Sequence, residues 1–303
     1  MKIAHFSDLH LLALEGVPPS RFLNKRLTGW VNLRLKRGSV HRSAYVRAIA
    51  DEVARTGIDH VVVTGDLSNL ALETEFELAR SLFEGMGLDA SSLTVVPGNH
   101  DVYTRGSLRA RRFEKYFAPW LRGDLPDLSV DVGGARFPIV KLRGRVAVIA
   151  LTSAVPRWPF VAAGELGRPQ LAALDRVLSH PEVAARTPIL ALHHPPVHRW
   201  SRVKAHLEGL RDGDELLRLL ARVGRGLVLH GHLHRRVQRV VSTQAGKLLQ
   251  VGATSASLQH EEPARMAGFN VYDLDENGQA RVTAMVYEPA SGKFRLESVP
   301  KYV

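Results

Sequence analysis

Five short segments of the chain collect carboxylates, an amide and imidazoles at the ends of apolar runs. Asp8 and His10 follow Ile3-Ala4-His5-Phe6, and Asp66 follows Val61-Val62-Val63. Asn99, His100 and Asp101 follow Val95-Val96-Pro97-Gly98, His193 and His194 follow Ile189-Leu190-Ala191-Leu192, and His232 and His234 follow Leu227-Val228-Leu229. The chain has no cysteine, which excludes thiolate metal sites, disulfides and cysteine nucleophiles. Oxygen donors mixed with imidazoles suit borderline ions such as Mn, Fe, Zn or Co better than Mg or Ca, which take all-oxygen shells. The donors are too many for one ion. Two ions about 3.5 to 4 Å apart that share a carboxylate would use them all and would clamp a phosphorus centre for in-line attack.

These donors meet only if the apolar runs are strands whose loops open at one sheet edge. Pro97 cannot continue a strand ladder, so a turn is forced before Asn99. Asp8 and His10, two residues apart, lie on one side of an extended segment and can reach a common ion. Between the runs, residues 43–56 place Val46, Ile49, Ala50 and Val53 on one helical face, and residues 72–86 do the same with Phe76, Ala79, Leu82 and Phe83. Further helices are expected at 109–117, 169–178 and 214–223, and strands at 137–142 and 146–151. Residues 197–210, basic and bearing His198, Trp200 and His206, are expected to form a mobile loop beside the site. That makes His206 a substrate-side candidate; His194, beside a ligand position, is expected either to face substrate or to pack behind the ligands. From residue 237 to 298 the pattern is β alone, with turn signals at Glu276-Asn277-Gly278 and Ser291-Gly292.

The chain of 303 residues is 45% hydrophobic, enough for a sizeable core, and no repeat or linker divides it, so one domain over 1–303 is expected. Its net charge of +11, from 41 Lys and Arg against 30 Asp and Glu, favours anionic partners: phosphate esters, nucleic acid or an anionic membrane surface. No run reaches the roughly 18 to 20 apolar residues of a membrane span, and no basic-then-apolar leader precedes Lys2, so a cytoplasmic protein is expected. Residues 21–42 form a basic, apolar insertion in which Leu27, Trp30 and Val31 alternate with Lys25, Arg26, Lys36 and Arg37. It either packs on the protein's own core or acts as an interfacial or lid element, with peripheral contact to the inner face of a membrane.

In order, Asp8-Leu9-His10, Gly65-Asp66, Gly98-Asn99-His100-Asp101, His193-His194-Pro195 and Gly231-His232-Leu233-His234 resemble the calcineurin-like metallophosphoesterase superfamily over about residues 1–240. The resemblance implies an α/β fold of four layers, two facing mixed β-sheets flanked by helices, with the C-terminal strands in the second sheet. It implies one ion held by Asp8, His10, His234 and a bridging Asp66, and a second held by Asp66, Asn99, His193 and His232. It gives His100 the role of proton donor or charge stabiliser, with Asp101 orienting it, and the nucleophile would be a metal-bound hydroxide. His230 is expected to be structural, and His5, His41, His60, His180 and His260 to lie outside the chemistry.

Ser7-Asp8-Leu9-His10-Leu11 and His193-His194-Pro195-Pro196 are similar to bacterial phosphodiesterases of the cyclic-nucleotide and glycerophosphodiester type. The expected substrate is thus a phosphodiester or pyrophosphate, small or lipid-linked. A hydrolase of UDP-2,3-diacylglucosamine, a lipid A precursor, is the alternative that the insertion at 21–37 would support. A nuclease is suggested by charge alone, since no nucleic-acid-binding module is recognisable. A non-catalytic metal-site scaffold is the alternative from another class, and the complete set of ligand positions argues against it.

Overall fold

In the computed structural model, which describes residues 1–22, 26–27, 41–158, 160–198 and 200–302, the apolar runs become strands buried on both faces. β1 (Lys2–Phe6), β2 (His60–Val63) and β3 (Leu93–Val95) pair in parallel. β4 (Val130–Val132) and β5 (Ala135–Phe137) form a separate hairpin. β6 (Ile139–Arg143), β7 (Val146–Ala150), β8 (Thr187–Ala191), β9 (Leu227–His230), β10 (Val237–Ser242) and β11 (Lys247–Gly252) build a second sheet, in the order β10-β11-β9-β8-β7-β6. Within it β7, β8, β9 and β11 are parallel. β12 (Gly268–Leu274), β13 (Ala280–Glu288) and β14 (Lys293–Ser298) return to the first sheet, whose order is β14-β13-β12-β1-β2-β3.

This corrects the expectation that the C-terminal strands all belong to the second sheet. Only β10 and β11 do. β12 pairs antiparallel with β1, Lys2 opposite Asp273 and His5 opposite Asn270, and so covers the edge of β1 that β2 leaves open.

The period-2 alternation of side chains sorts the strand residues into layers. Ile3 and Val62 of the first sheet pack with Val148, Ile189, Ala191 and Leu229 of the second, so the sheets meet face to face. On the outer side of the first sheet, Ala4, Phe6, Val61 and Val63 pack under α1 (Ser43–Arg55) and α2 (Glu73–Gly85) through Val46, Ile49, Phe76 and Phe83. The expected helix at 109–117 is instead α3 (Arg105–Arg109) and α4 (Arg112–Phe117), broken where Arg111 turns left-handed at φ 48°. On the outer side of the second sheet, Ile149, Leu190 and Val228 pack under Leu174 and Val177 of α5 (Arg168–Ser179), which is followed by the single turn α6 (Pro181–Ala184). The basic stretch expected as a loop contains a helix, α7 (Arg202–Glu208), capped by the Ser201 hydroxyl on Lys204 N–H at 3.3 Å. α8 (Gly213–Leu220) completes this layer with Leu216 and Leu220. The four-layer α/β arrangement is therefore present: helices, sheet, sheet, helices. Most of the insertion at 21–42, Trp30 included, lies outside the described residues.

One buried acid at the start of α2 has a pH signature. Glu75 accepts the N–H groups of Leu70 and Leu72 at 2.9 and 3.1 Å, and burial pushes its carboxyl up to about 8. Above the ordinary value of 4.5 the unfolded chain releases a proton that the folded chain keeps, so this group's stabilisation is complete below that pH and is lost as pH rises towards 8. Denaturant unfolding across that window is expected to show stability falling with pH more steeply in wild type than in Glu75→Gln, by on the order of a few kcal/mol. Equal slopes for the two proteins would refute this account of Glu75.

Candidate metal centre

Every donor in the cluster follows the C-terminal end of a parallel strand, the edge at which α/β sheets open a crevice. The first sheet supplies Asp8 and His10 after β1, Asp66 after β2, and Asn99 and His100 after β3; the second supplies His193 after β8 and His232 and His234 after β9. The first two loops prolong the strand pairing, with Asp8 N–H on Gly65 O at 2.9 Å, His10 N–H on Asp66 O at 2.9 Å and Leu11 N–H on Leu67 O at 3.0 Å. Asp8, His10, Asp66, His232 and His234 all have positive φ, between 46° and 68°, and are five of the eight such non-glycine residues among the described residues. Each left-handed residue costs about 1 to 2 kcal/mol, so the surrounding bonds must hold it there. Two motif glycines serve close approach. A Cβ at Gly98 would collide with the Asp66 carboxylate, and one at Gly231 with Ser7 Oγ.

The donor atoms face one another. His10 Nε2 and His234 Nε2 are 3.1 Å apart, and Asp8 Oδ1 lies 3.1 Å from His234 Nε2 and 3.8 Å from His10 Nε2. Asp66 Oδ2 lies 4.0 Å from His10 Nε2 on one side and 3.4 Å from His193 Nε2 on the other. Asn99 Oδ1 is 3.2 Å from His193 Nε2. The sets Asp8–His10–His234 and Asp8–Asp66–His193 each bring their ligand atoms within 4.8 Å of one another. Asp8 Oδ1 is buried and receives no hydrogen bond of good geometry. A buried carboxylate oxygen without a donor, facing imidazole nitrogens that converge, is a cation's environment, and this donor set fits two borderline ions.

A hydrogen bond behind the cluster fixes which nitrogen the His193 ring presents, and a backbone bond braces the Asp8 carboxylate. His193 Nδ1 donates to Thr64 O at 2.7 Å, turning the Nε2 lone pair inward. His232 N–H donates to Asp8 Oδ2 at 3.0 Å. Burial opposes ionisation of both carboxylates, yet the imidazoles of His234 and His193 hold Asp8 well below the usual range, and His193 with His100 brings Asp66 down to about 2. Burial disfavours the His193 imidazolium, but Asp66 outweighs it and raises His193 to about 9. The His232 ring, buried beside His194 and His193, is pushed well down and stays neutral, as a ligand must be.

His100 lies beside the cluster. Its backbone N–H donates to Asp66 Oδ1 at 2.8 Å and its Nδ1 donates to Asn69 O at 2.7 Å. Its ring stacks on Tyr103 with centroids 5.4 Å apart and meets His10 edge-on at 5.0 Å.

Two expectations change, and His194 takes one of its two expected places. Asp101 does not orient His100: its carboxylate accepts the N–H groups of Leu67 (3.2 Å), Ser68 (2.9 Å) and Gly98 (2.9 Å) and the Ser68 hydroxyl (2.9 Å), tying the β2 loop to the β3 loop. Burial and the Asp66 charge push this carboxyl up to about 7, and the four donors favour its anion. His194 does not face substrate, since it is buried with Nδ1 on Ser153 Oγ at 2.8 Å and Nε2 on Ala162 O at 2.7 Å, and it packs behind His232 with centroids 4.5 Å apart. His206 is exposed on α7, and no hydrogen bond joins it to the cluster among the described residues. His230 is buried, with Nδ1 on Gly231 O at 2.9 Å, and is pushed down to about 4 by burial.

His41, expected to lie outside the chemistry, stands against the cluster, as do Tyr103, which no motif includes, and Trp200, on the basic stretch expected beside the site. The His41 ring meets His10 edge-on at 5.0 Å, with Nδ1 2.7 Å from Ser257 Oγ, and Trp200 stands 6.2 Å from the His232 ring. Tyr103, two residues beyond the Gly-Asn-His-Asp motif, was within reach of a reading that extended that turn. His41 carries no such signal, because it arrives on a connection whose path the sequence does not fix.

Residues 1–236 match the family model described as calcineurin-like phosphoesterase. A cAMP/cGMP dual specificity phosphodiesterase from Mycobacterium tuberculosis (strain CDC 1551 / Oshkosh) is 28% identical over 237 residues, 77% of this chain and 61% of that protein. A protein named "Probable cyclic nucleotide phosphodiesterase" from Synechococcus sp. (strain WH7803) is 29% identical over 130 residues, 41% of this chain and 49% of that one. The chain thus aligns with less than two thirds of the length of either relative. A dimetal phosphatase from Danio rerio superposes with a TM-score of 0.58 at 14% identity, covering 99% of both chains, which is a likeness of fold. Since the family match runs from the first strand through the loop that bears His234, it includes every donor of the cluster, and the chain belongs to the calcineurin-like phosphoesterase family.

Proposed function

We propose that this chain is a two-metal phosphodiesterase that hydrolyses cyclic nucleotides. The observation that carries the reading is the place of Asp66, one carboxylate within 4.0 Å of His10 on one side and 3.4 Å of His193 on the other. Asp8, His10 and His234 would complete one site with Asp66, and Asn99, His193 and His232 the other, for a pair drawn from Mn, Fe, Zn and Co. When bound, the ions supply positive charge to the phosphoryl oxygens and lower the pKa of water towards 7, so that water attacks phosphorus without a side-chain nucleophile. His100 gives its proton to the ester oxygen that leaves as the P–O bond breaks. Its Nδ1–H on Asn69 O and its stacking on Tyr103 aim the ring before substrate arrives. The names of the Mycobacterium and Synechococcus relatives support the cyclic-nucleotide substrate, and the net charge of +11 suits an anionic one.

Asp66→Asn is expected to lower metal content and turnover more than loss of any single imidazole, because one carboxylate would neutralise both ions. Elemental analysis that finds two ions per chain in this variant, with a near-normal rate, would remove Asp66 from the bridging position. His100→Ala is expected to keep both ions while losing on the order of 10²-fold or more in kcat, the scale of positioned acid catalysis. Metal loss in that variant would make His100 a ligand instead. A substrate panel of cyclic AMP, cyclic GMP, a generic bis-ester and a generic mono-ester tests the substrate class, with the highest kcat/KM expected for the cyclic nucleotides. Preference for the mono-ester would overturn the diesterase reading.

A further inference from the structure

Large apolar side chains exposed to solvent are concentrated on the edge that carries the metal centre. Leu12 and Leu27 follow β1, Trp158 and Phe160 follow β7, and Val203 and Leu207 follow β8; among the described residues only Val240 and Leu296, on outer strands, are comparably exposed elsewhere. Trp158 is 78% exposed, Phe160 90% and Val203 71%. The connections after β7 and β8 form one unit, joined by Ala162 N–H on Leu207 O at 2.8 Å and Gly164 N–H on Gly209 O at 3.0 Å. The same unit reaches the centre through His194 Nε2 on Ala162 O and through Trp200 beside His232.

Two features set this patch apart from scattered surface hydrophobics. Phe160 lies in a turn closed by Val161 N–H on Trp158 O, and it has φ 68°, a conformation that a bulky side chain adopts at a cost. The chain therefore holds an aromatic ring in water on strained backbone. Beside it α7 places Val203 and Leu207 one turn apart, with Arg202 and Lys204 exposed between and before them. Lys204 reaches over the Trp200 ring at 4.9 Å and pairs with Glu208 at 3.8 Å, both contacts at the surface. Exposed Trp and Phe beside Lys and Arg make the composition of an interfacial anchor, apolar rings for the headgroup boundary and cations for lipid phosphates. Four such side chains on two short segments fall short of the roughly 800 Å² per partner that a stable protein interface buries.

We propose that this edge docks on an anionic membrane surface, with Trp158 and Phe160 among the headgroups and Arg202 and Lys204 on their phosphates. The inference goes beyond the phosphodiesterase reading and does not depend on it. Co-sedimentation with vesicles of phosphatidylcholine and phosphatidylglycerol, and with vesicles of phosphatidylcholine alone, is the test. Wild type is expected to bind the anionic vesicles, and the double variant Trp158→Ser/Phe160→Ser to bind them about tenfold or more weakly with unchanged circular dichroism and unchanged hydrolysis of a soluble bis-ester. Arg202→Gln/Lys204→Gln is expected to lose the preference for anionic over neutral vesicles, and salt to have the same effect on wild type by screening. Wild type that ignores both vesicles, or an aromatic variant that binds as wild type does, overturns the proposal. So does a concentration-dependent dimer that the aromatic variant dissolves without any vesicle binding, which would make a second copy the occupant.

Discussion

Two carboxylates with almost no access to water, Asp8 and Asp66, stand at the seam where the two sheets open, and the rest of the molecule answers to them. Charges so placed are tolerated only beside compensating charge. The second sheet supplies part of it by sending His193 across the seam to Asp66. Asp66 raises the proton affinity of His193 despite the burial of that ring. The same demand accounts for the backbone: five left-handed non-glycine residues exist because side chains from different strands must converge on points only a few ångströms apart.

Glycine and Asp101 make that convergence physically possible. Where Gly98 backs onto Asp66 and Gly231 onto Ser7, four loops come closer in pairs than side chains would allow. Asp101 then binds two of those loops with four accepted hydrogen bonds. A carboxylate beside His100 in sequence is thus a brace in space. The orientation it was expected to give His100 comes from a peptide carbonyl, Asn69 O, and from Tyr103.

The strands and their terminal donors were legible because a β-branched run followed by a polar loop is a local signal, and Val61-Val62-Val63 before Gly65-Asp66 needs no distant information. The helical faces of α1 and α2 were legible for the same reason. Sheet membership was not: β12 carries the same alternating pattern whether it extends the second sheet or returns to β1, and the choice rests on which edge is open. The places of His41 and His194 were hidden likewise. His194 has the sequence neighbours of a ligand, but its ring nitrogens are taken by Ser153 and Ala162, a pairing across 41 and 32 residues that no local pattern announces.

The return of β12 to β1 has a consequence for how the protein is made. During translation β1 and β2 emerge early, but the strand that closes the other edge of β1 begins only at Gly268. The last donor of the cluster, His234, appears just before it. A nascent chain therefore carries an open β1 edge until the residues from Gly268 on have been made. The first sheet can close on this side only after the strands of the second have been synthesised, and until then the edge of β1 is open to pairing with another chain.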